Sequence, residues 1–185
     1  MGWTNNWTAM KNALLCGVYH ADLSSMYNIS GTLVETTAAA NGGVSVPSPM
    51  LPFNQSIACT STGSSTGYAY LQVAFGSGDT APSAADYALA SPLSNISAIS
   101  TVHESLSIDA VNKTVTRVEK ITVQNTNASS VTIREWGIIL YGYTNYLSGG
   151  RFLIYRALLD NAVTLGANQA ATLELTMSVT LDDPV

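Results

Sequence analysis

Charge is what this sequence has least of: 7 basic and 12 acidic residues in 185, a net charge of −5. The few Lys and Arg form no stripe able to neutralise phosphates, which argues against a nucleic-acid partner. Cysteine is nearly absent. Cys16 and Cys59 lie far apart without CxxC spacing, allow at most one bridge, and read as buried thiols. Long apolar runs are missing too: hydrophobic residues make up 46% of the chain, yet Ser, Thr, Asn and Gly interrupt every apolar segment well short of the roughly 20 residues a spanning helix needs. No membrane partner is expected. Two lipidation look-alikes also fail, because Leu15 precedes Cys16 where a small residue is required and position 6 is Asn6 rather than Ser or Thr.

In place of charge the chain carries 21 Ser and 20 Thr. Hydroxyls suit β surfaces, and covering them avoids the desolvation cost of burying ions. A surface short of Lys and Glu therefore suits subunit contacts. The length fits one hydrophobic core, read as an N-terminal arm over residues 1–24 and one β domain over residues 25–185.

Trp3, Trp7, Met10 and Leu14 recur at helical spacing and predict a short amphipathic N-terminal helix, its tryptophans capping the domain's own core or docking into a neighbouring subunit. Between Gly31 and Thr66 the chain offers one strand-like piece, Thr32 to Thr36, amid Gly and Pro punctuation. A strong strand follows at Tyr68 to Phe75. Ser83 to Asp86 has the S-x-x-D form of a helix start, predicting a short helix near residues 84–90. The second half predicts strands at Ser100 to Asp109, Lys113 to Gln124, Val131 to Tyr143, Arg151 to Leu159 and Ala171 to Leu181. Strands in such succession, almost without helix between them, point to an all-β fold, an antiparallel β-sandwich of jelly-roll type.

Few residues invite chemistry. Gly76-Ser77-Gly78-Asp79-Thr80-Ala81 matches the G-x-G-x-x-A form of a dinucleotide fingerprint, but Pro82 follows and no acidic residue closes a second parallel strand, so the run reads as a turn leaving a strand. His20 and His103 have no nucleophile elbow to serve, and Cys16, His20, Asp22 and His103 follow no zinc spacing. No catalytic residue, metal or cofactor is expected. Arg134 and Glu135 interrupt an apolar strand. Alternation puts Arg134 with Trp136 on one face and Glu135 with Ile133 and Gly137 on the other, so Glu135 needs a partner, either Arg151 or Arg156. The tyrosines from Tyr141 to Tyr155, Tyr143 and Tyr146 among them, bracket the Ser148-Gly149-Gly150 turn and read either as hairpin-end packing or as a recognition loop.

Three passages taken in order resemble bacteriophage virion proteins. Tyr70 to Ser83 with Asp86-Tyr87-Ala88-Leu89 looks like a strand leading into a G-x-G-x-[TS]-x-P-[ST] turn and a D-x-x-L segment; Val131 to Ile139 is similar to an I-x-E-x-G-L strand; Phe152 to Ala157 and Val163 to Leu181 look like the last two strands. Trp136 stands where a small aliphatic is usual. The resemblance covers residues 68–182 and implies a virion component without enzymatic activity, found in tail-fibre and collar-fibre attachment domains and small structural proteins of tailed phages. The expected partners are copies of the chain itself, in a trimer or ring, and other virion proteins. Expected assembly contacts are Trp3, Trp7, Arg134, Glu135 and Arg151. The alternative is a receptor- or glycan-binding module using Tyr143 and Tyr146.

Overall fold

The structure, a computed structural model, describes residues 2–6, 26–34, 70–141 and 151–180. Within them the chain is mostly β and every strand pairing is antiparallel. The strands are β1 (Gly2–Trp3), β2 (Met26–Tyr27), β3 (Leu33–Val34), β4 (Tyr70–Gly76), β5 (Ile96–Asp109), β6 (Thr114–Asn125), β7 (Val131–Tyr141), β8 (Arg151–Leu165) and β9 (Ala170–Thr180). One sheet has the order β1-β8-β7-β4, a second β5-β6-β9, and β2-β3 forms a small ribbon. No helix among the described residues is long and apolar enough to cross a membrane, which says nothing of a β-barrel.

Period-2 alternation explains the strands. Along β6 every second residue is buried, from Val115 through Ile121 and Val123 to Asn125, while Thr116, Lys120 and Thr122 occupy the other face. That outer face is laced by hydroxyl pairs across β6 and β9, Thr116 with Ser178 and Thr122 with Thr172, each at 3.0 Å. The inner faces of the two large sheets share one core. Val73, Phe75, Trp136, Ile138, Leu140, Phe152, Ile154 and Tyr155 come from one, and Ala98, Ile121, Val123, Leu173, Leu175 and Met177 from the other. The Trp136 and Tyr155 rings meet at 5.0 Å, and the Tyr155 hydroxyl reaches across to the Thr176 carbonyl.

Among the described residues the chain crosses between the large sheets three times, after β4, β6 and β8. Asn125 ties these crossings together. Its buried amide donates to the carbonyls of Ser129, Leu165 and Gly166 and accepts from the Asn127 amide, while Thr126 bonds Asn95 through both its amide and its hydroxyl. The β5–β6 turn closes where expected. The Asp109 carboxylate accepts the amides of Val111 and Asn112 as well as the Asn112 side chain, bonds that draw its pKa below the usual carboxylate value, and Lys113 takes the left-handed conformation that completes the turn.

Three expectations change. Trp3 lies in β1, opposite Tyr155 of β8, rather than on a helix, because Gly2 and Trp3 extend that sheet and Thr4 then bonds the Ile154 and Leu153 carbonyls; Trp7, Met10 and Leu14 lie outside the described residues. The predicted helix at residues 84–90 is absent. The Ser83 amide donates to the Asp86 carboxylate as in a capping box, and the Ala85 amide donates to the Ser83 hydroxyl, but only a turn follows. The Asp86 side chain is also drawn to an arginine of β8, which fixes the chain against the sheet before a helix can propagate. Finally, β8 continues to Leu165 past the expected end at Leu159, because Val163, Thr164 and Leu165 pair again with Ile133, Thr132 and Val131 after an irregular stretch.

Asn125→Ala leaves three carbonyls without their shared donor and is expected to cost about 2 kcal/mol, as a buried unmade hydrogen bond does. Urea unfolding monitored by tryptophan fluorescence reads the loss.

Candidate functional site

The most chemically capable group in the described core is the carboxylate of Glu135, fully buried on β7. Taking a carboxylate out of water costs several kcal/mol, so each oxygen must find donors. Oε1 accepts the amides of Gly78 at 3.1 Å and Ser91 at 2.8 Å; Oε2 accepts the Ala90 amide at 3.1 Å and Arg156 Nε at 2.7 Å. Arg156 is itself buried, and its two remaining nitrogens bind Asp86 at 2.6 Å and the Thr80 carbonyl at 2.9 Å. One carboxylate and one guanidinium therefore hold the whole connection from residue 77 to residue 91 down on the sheet. Its base is closed by the Gly76–Pro92 bridge and by the Ser77 amide on the Ser91 carbonyl.

Glycine makes the approach feasible. A Cβ on Gly76 would lie 2.7 Å from both Glu135 Cγ and the Ser91 carbonyl, and one on Gly78 would lie 2.6 Å from Glu135 Oε1 and 2.7 Å from Ala90 Cβ. The G-x-G pattern thus meets the physical demand it meets in a phosphate cradle, backbone N–H groups brought bare against an anion. Here the anion is the protein's own. Gly137, two residues after Glu135, plays a matching part: a Cβ there would stand 2.7 Å from Leu153 Cδ1 and 3.0 Å from Leu89 Cδ2. Leu89 drops into that space and packs with Ile139 and Leu153 in a second, smaller apolar cluster. Gly76, Gly78, Asp86, Leu89, Glu135, Gly137 and Arg156, spread over eighty residues of sequence, form one contiguous unit.

Electrostatics follow the geometry. Burial by itself would raise the Glu135 pKa, but the Ser91 amide, the Arg156 hydrogen bond, the Ala90 amide and the guanidinium charge outweigh it and hold the carboxyl below its ordinary value. Burial would lower Arg156, and Asp86 with Glu135 overcomes it, so the guanidinium stays charged. With two donors on each oxygen, Glu135 has its lone-pair sites occupied and none left for a proton in transit or a metal. Burial alone pushes the Tyr155 phenol well above its usual range.

The expected site residues are dispersed. Glu135 is buried as anticipated, but its partner is Arg156, not Arg151: Arg156 lies opposite Gly137, diagonal to Glu135, whereas Arg151 lies opposite Tyr141 at the far end of β7. Arg134 is exposed, with a long 3.4 Å contact to the Ser77 carbonyl. The expected pairing of Glu135 with Ile133 on one face fails because the β7–β8 register shifts between them, so Ile133 joins Trp136 in the main core while Glu135 faces the opposite way. Arg134, Glu135 and Arg151 therefore do not form one polar cluster. Trp7, Tyr143 and Tyr146 lie outside the described residues, as do Cys16, His20 and Asp22, and His103 stands on β5. Among the described residues no three His, Cys, Asp or Glu side chains gather as metal ligands. Sequence reading missed a second buried ion pair, Arg117 with Glu119 on β6. The signal was there, since both fall in the buried phase of the strand's alternation.

Glu135→Gln replaces an acceptor by an amide donor beside two N–H groups and leaves Arg156 short of a counter-charge; a stability loss of about 3–5 kcal/mol is expected in urea unfolding. Because the folded pKa of Glu135 is depressed, its contribution is full above the ordinary carboxylate range and is lost as pH falls through the folded value. The gap between wild type and Glu135→Gln should therefore be constant near neutrality and narrow only in acid. Gly78→Ala should cost about 1–3 kcal/mol by overpacking against the carboxylate. By contrast Gly166→Ala, whose new Cβ would meet only the flexible end of Gln169, should be nearly silent in the same assay.

Comparison of the chain with protein-family models, with curated proteins and with solved structures finds no match.

Proposed function

We propose that this chain is a non-enzymatic structural protein of a bacteriophage particle, a β-sandwich of jelly-roll type that assembles on the tail, collar or head through contacts with copies of itself and with other virion proteins. The observation that carries the reading is the Glu135–Arg156 unit. Six residues of the motifs that carry the resemblance to virion proteins, Gly76, Gly78, Asp86, Leu89, Glu135 and Gly137, fall in this unit around Arg156 and help to fasten the first crossing between sheets. A set of residues in one packing unit is what a shared domain type would preserve in order along the chain. The one deeply buried carboxylate of this unit is spent on that task, which supports a binding role over catalysis.

The pairing pattern supports the sandwich. β4 pairs β7 in one sheet while β5 pairs β6 in the other, and β7 pairs β8 while β6 pairs β9. Each is a long antiparallel ribbon folded across two sheets, the construction from which Greek-key sandwiches and jelly rolls are made. Hydroxyl ladders on the outer faces, including Thr132 with Thr164 at 2.9 Å, offer surfaces that subunits can cover without stranding charge.

The mass of the purified chain in solution, measured by light scattering across the micromolar range, tests the assembly role, and a closed oligomer is expected. A monomer at every concentration would overturn self-assembly and favour the second reading, a receptor- or glycan-binding module. That reading uses Tyr143 and Tyr146, which lie outside the described residues; among the described residues the exposed rings Tyr27 and Tyr87, with centroids 6.5 Å apart, offer the aromatic contact it needs.

A further inference from the structure

Apolar side chains on the described surface are concentrated in one place. Ile99 is 56% exposed, Val102 57%, Leu106 46% and Ile108 71%, all on β5, and Val111 in the following turn is 89% exposed. β5 is also an edge. Among the described residues it hydrogen-bonds β6 alone, and no described strand takes up the backbone N–H and C=O groups of its other side along Ile96–Asp109. Proteins usually protect so long an edge with Lys, Arg or Pro, or by covering it. This strand contains none of those three residues, and its only acidic ones are Glu104 and Asp109. Two register shifts, at Ile99 and Glu104, are its only blunting devices, and the run Ser105 to Asp109 beyond them pairs regularly with Thr114 to Val118.

The sheet's inner face shows where cover runs out. Leu106 and Ile108 lie opposite Arg117 and Val115, which are buried, yet they remain exposed themselves. A further strand laid along the open edge would bring its own side chains beside Leu106 and Ile108 on this face and beside Val102 on the other, since Val102 lies opposite Lys120 of the outer row.

We infer that the open edge of β5 is the self-association surface of this protein, where the β5 strand of a second copy pairs antiparallel across a two-fold axis and continues the three-stranded sheet into one of six strands. The pairing rests on the proposed role as an assembling subunit and gives it a location. The exposed apolar area comes to about two thirds of the apolar share of a standard interface. A Val, Leu or Ile side chain carries on the order of 100 Å² of apolar surface, so these five offer roughly 300 Å², against the roughly 450 Å² apolar share of a standard interface of about 800 Å² per partner. Backbone hydrogen bonds of the added strand supply the polar part. Closure supports a second β5 over the other edge strand, β9: β5 on β5 consumes the edge in both copies and stops, whereas β5 on β9 leaves each copy with a free edge and propagates. The antiparallel arrangement also sets the two copies of the acidic Asp109 end far apart.

The test uses the full chain and three variants, Val102→Lys, Ile108→Lys and, as a control on an exposed position of the other sheet, Ala162→Lys. Because all three positions are exposed, circular dichroism and urea midpoints, taken at concentrations where the wild type is dissociated, should match wild type and separate association from folding. Sedimentation across the micromolar range should give an even-numbered wild-type oligomer, dissociation at least tenfold easier in Val102→Lys and Ile108→Lys, and no change in Ala162→Lys. Amide exchange along Ile96–Asp109 should slow as the wild-type concentration rises. A wild-type monomer throughout overturns both this pairing and the assembly role. An odd-numbered oligomer, or one that survives both β5 lysines, overturns the pairing and leaves assembly standing through another surface.

Discussion

The structure depends on a carboxylate that cannot be left alone. Glu135 sits on the central part of β7, out of water, and its charge is tolerable only while three backbone amides and Arg156 surround it. Those amides belong to the two ends of one connection, at Gly78 and at Ala90–Ser91, so satisfying the charge closes the connection onto the sheet. Arg156 extends the same logic outward through Asp86 and the Thr80 carbonyl. The low dielectric that makes the bare charge costly makes each of these bonds stronger, and a network of this kind either forms completely or is worse than an apolar core.

With that connection fixed, the remaining geometry follows. β4 enters it and β5 leaves it, so its position decides where the second sheet begins relative to the first. The core then closes between the inner faces, and Asn125 performs for the later two crossings what Glu135 performs for the first. Both devices use a buried polar side chain to order irregular backbone whose own hydrogen bonds no ladder can satisfy. One acts through charge, the other through a neutral amide, and both side chains are fully buried.

A chain so poor in charge distributes it with economy. Of its few ionic groups, Asp86, Arg117, Glu119, Glu135 and Arg156 are engaged in internal pairs. Hydroxyl pairs and exposed aliphatics therefore carry much of the solvent-facing character of the second sheet. Such a surface gains little from staying in water and loses little on being covered, and β5, with its four exposed aliphatics, is where that balance is most lopsided.

Alternation at period 2, turn residues such as Asp109-Ala110-Val111-Asn112 and the absence of helix-length apolar patterns were enough to read an all-β chain and to place β4 to β9 within a few residues except at the C-terminal end of β8, because these signals act between near neighbours. The need of Glu135 for an arginine was legible for the same reason: a charge in a buried strand demands a counter-charge anywhere in the fold. Which arginine it takes, Arg156 over Arg151, was not, since register shifts in the β7–β8 ladder arise from packing on both sides of the sheet. Nor could the Ser83–Asp86 capping box reveal that it opens no helix, because Asp86 is claimed by a strand seventy residues away. Local chemistry determined the strands and their turns; the tertiary structure alone decided what Gly76 and Gly78 are for, because the anion they cradle reaches them only when β7 lies beside β4.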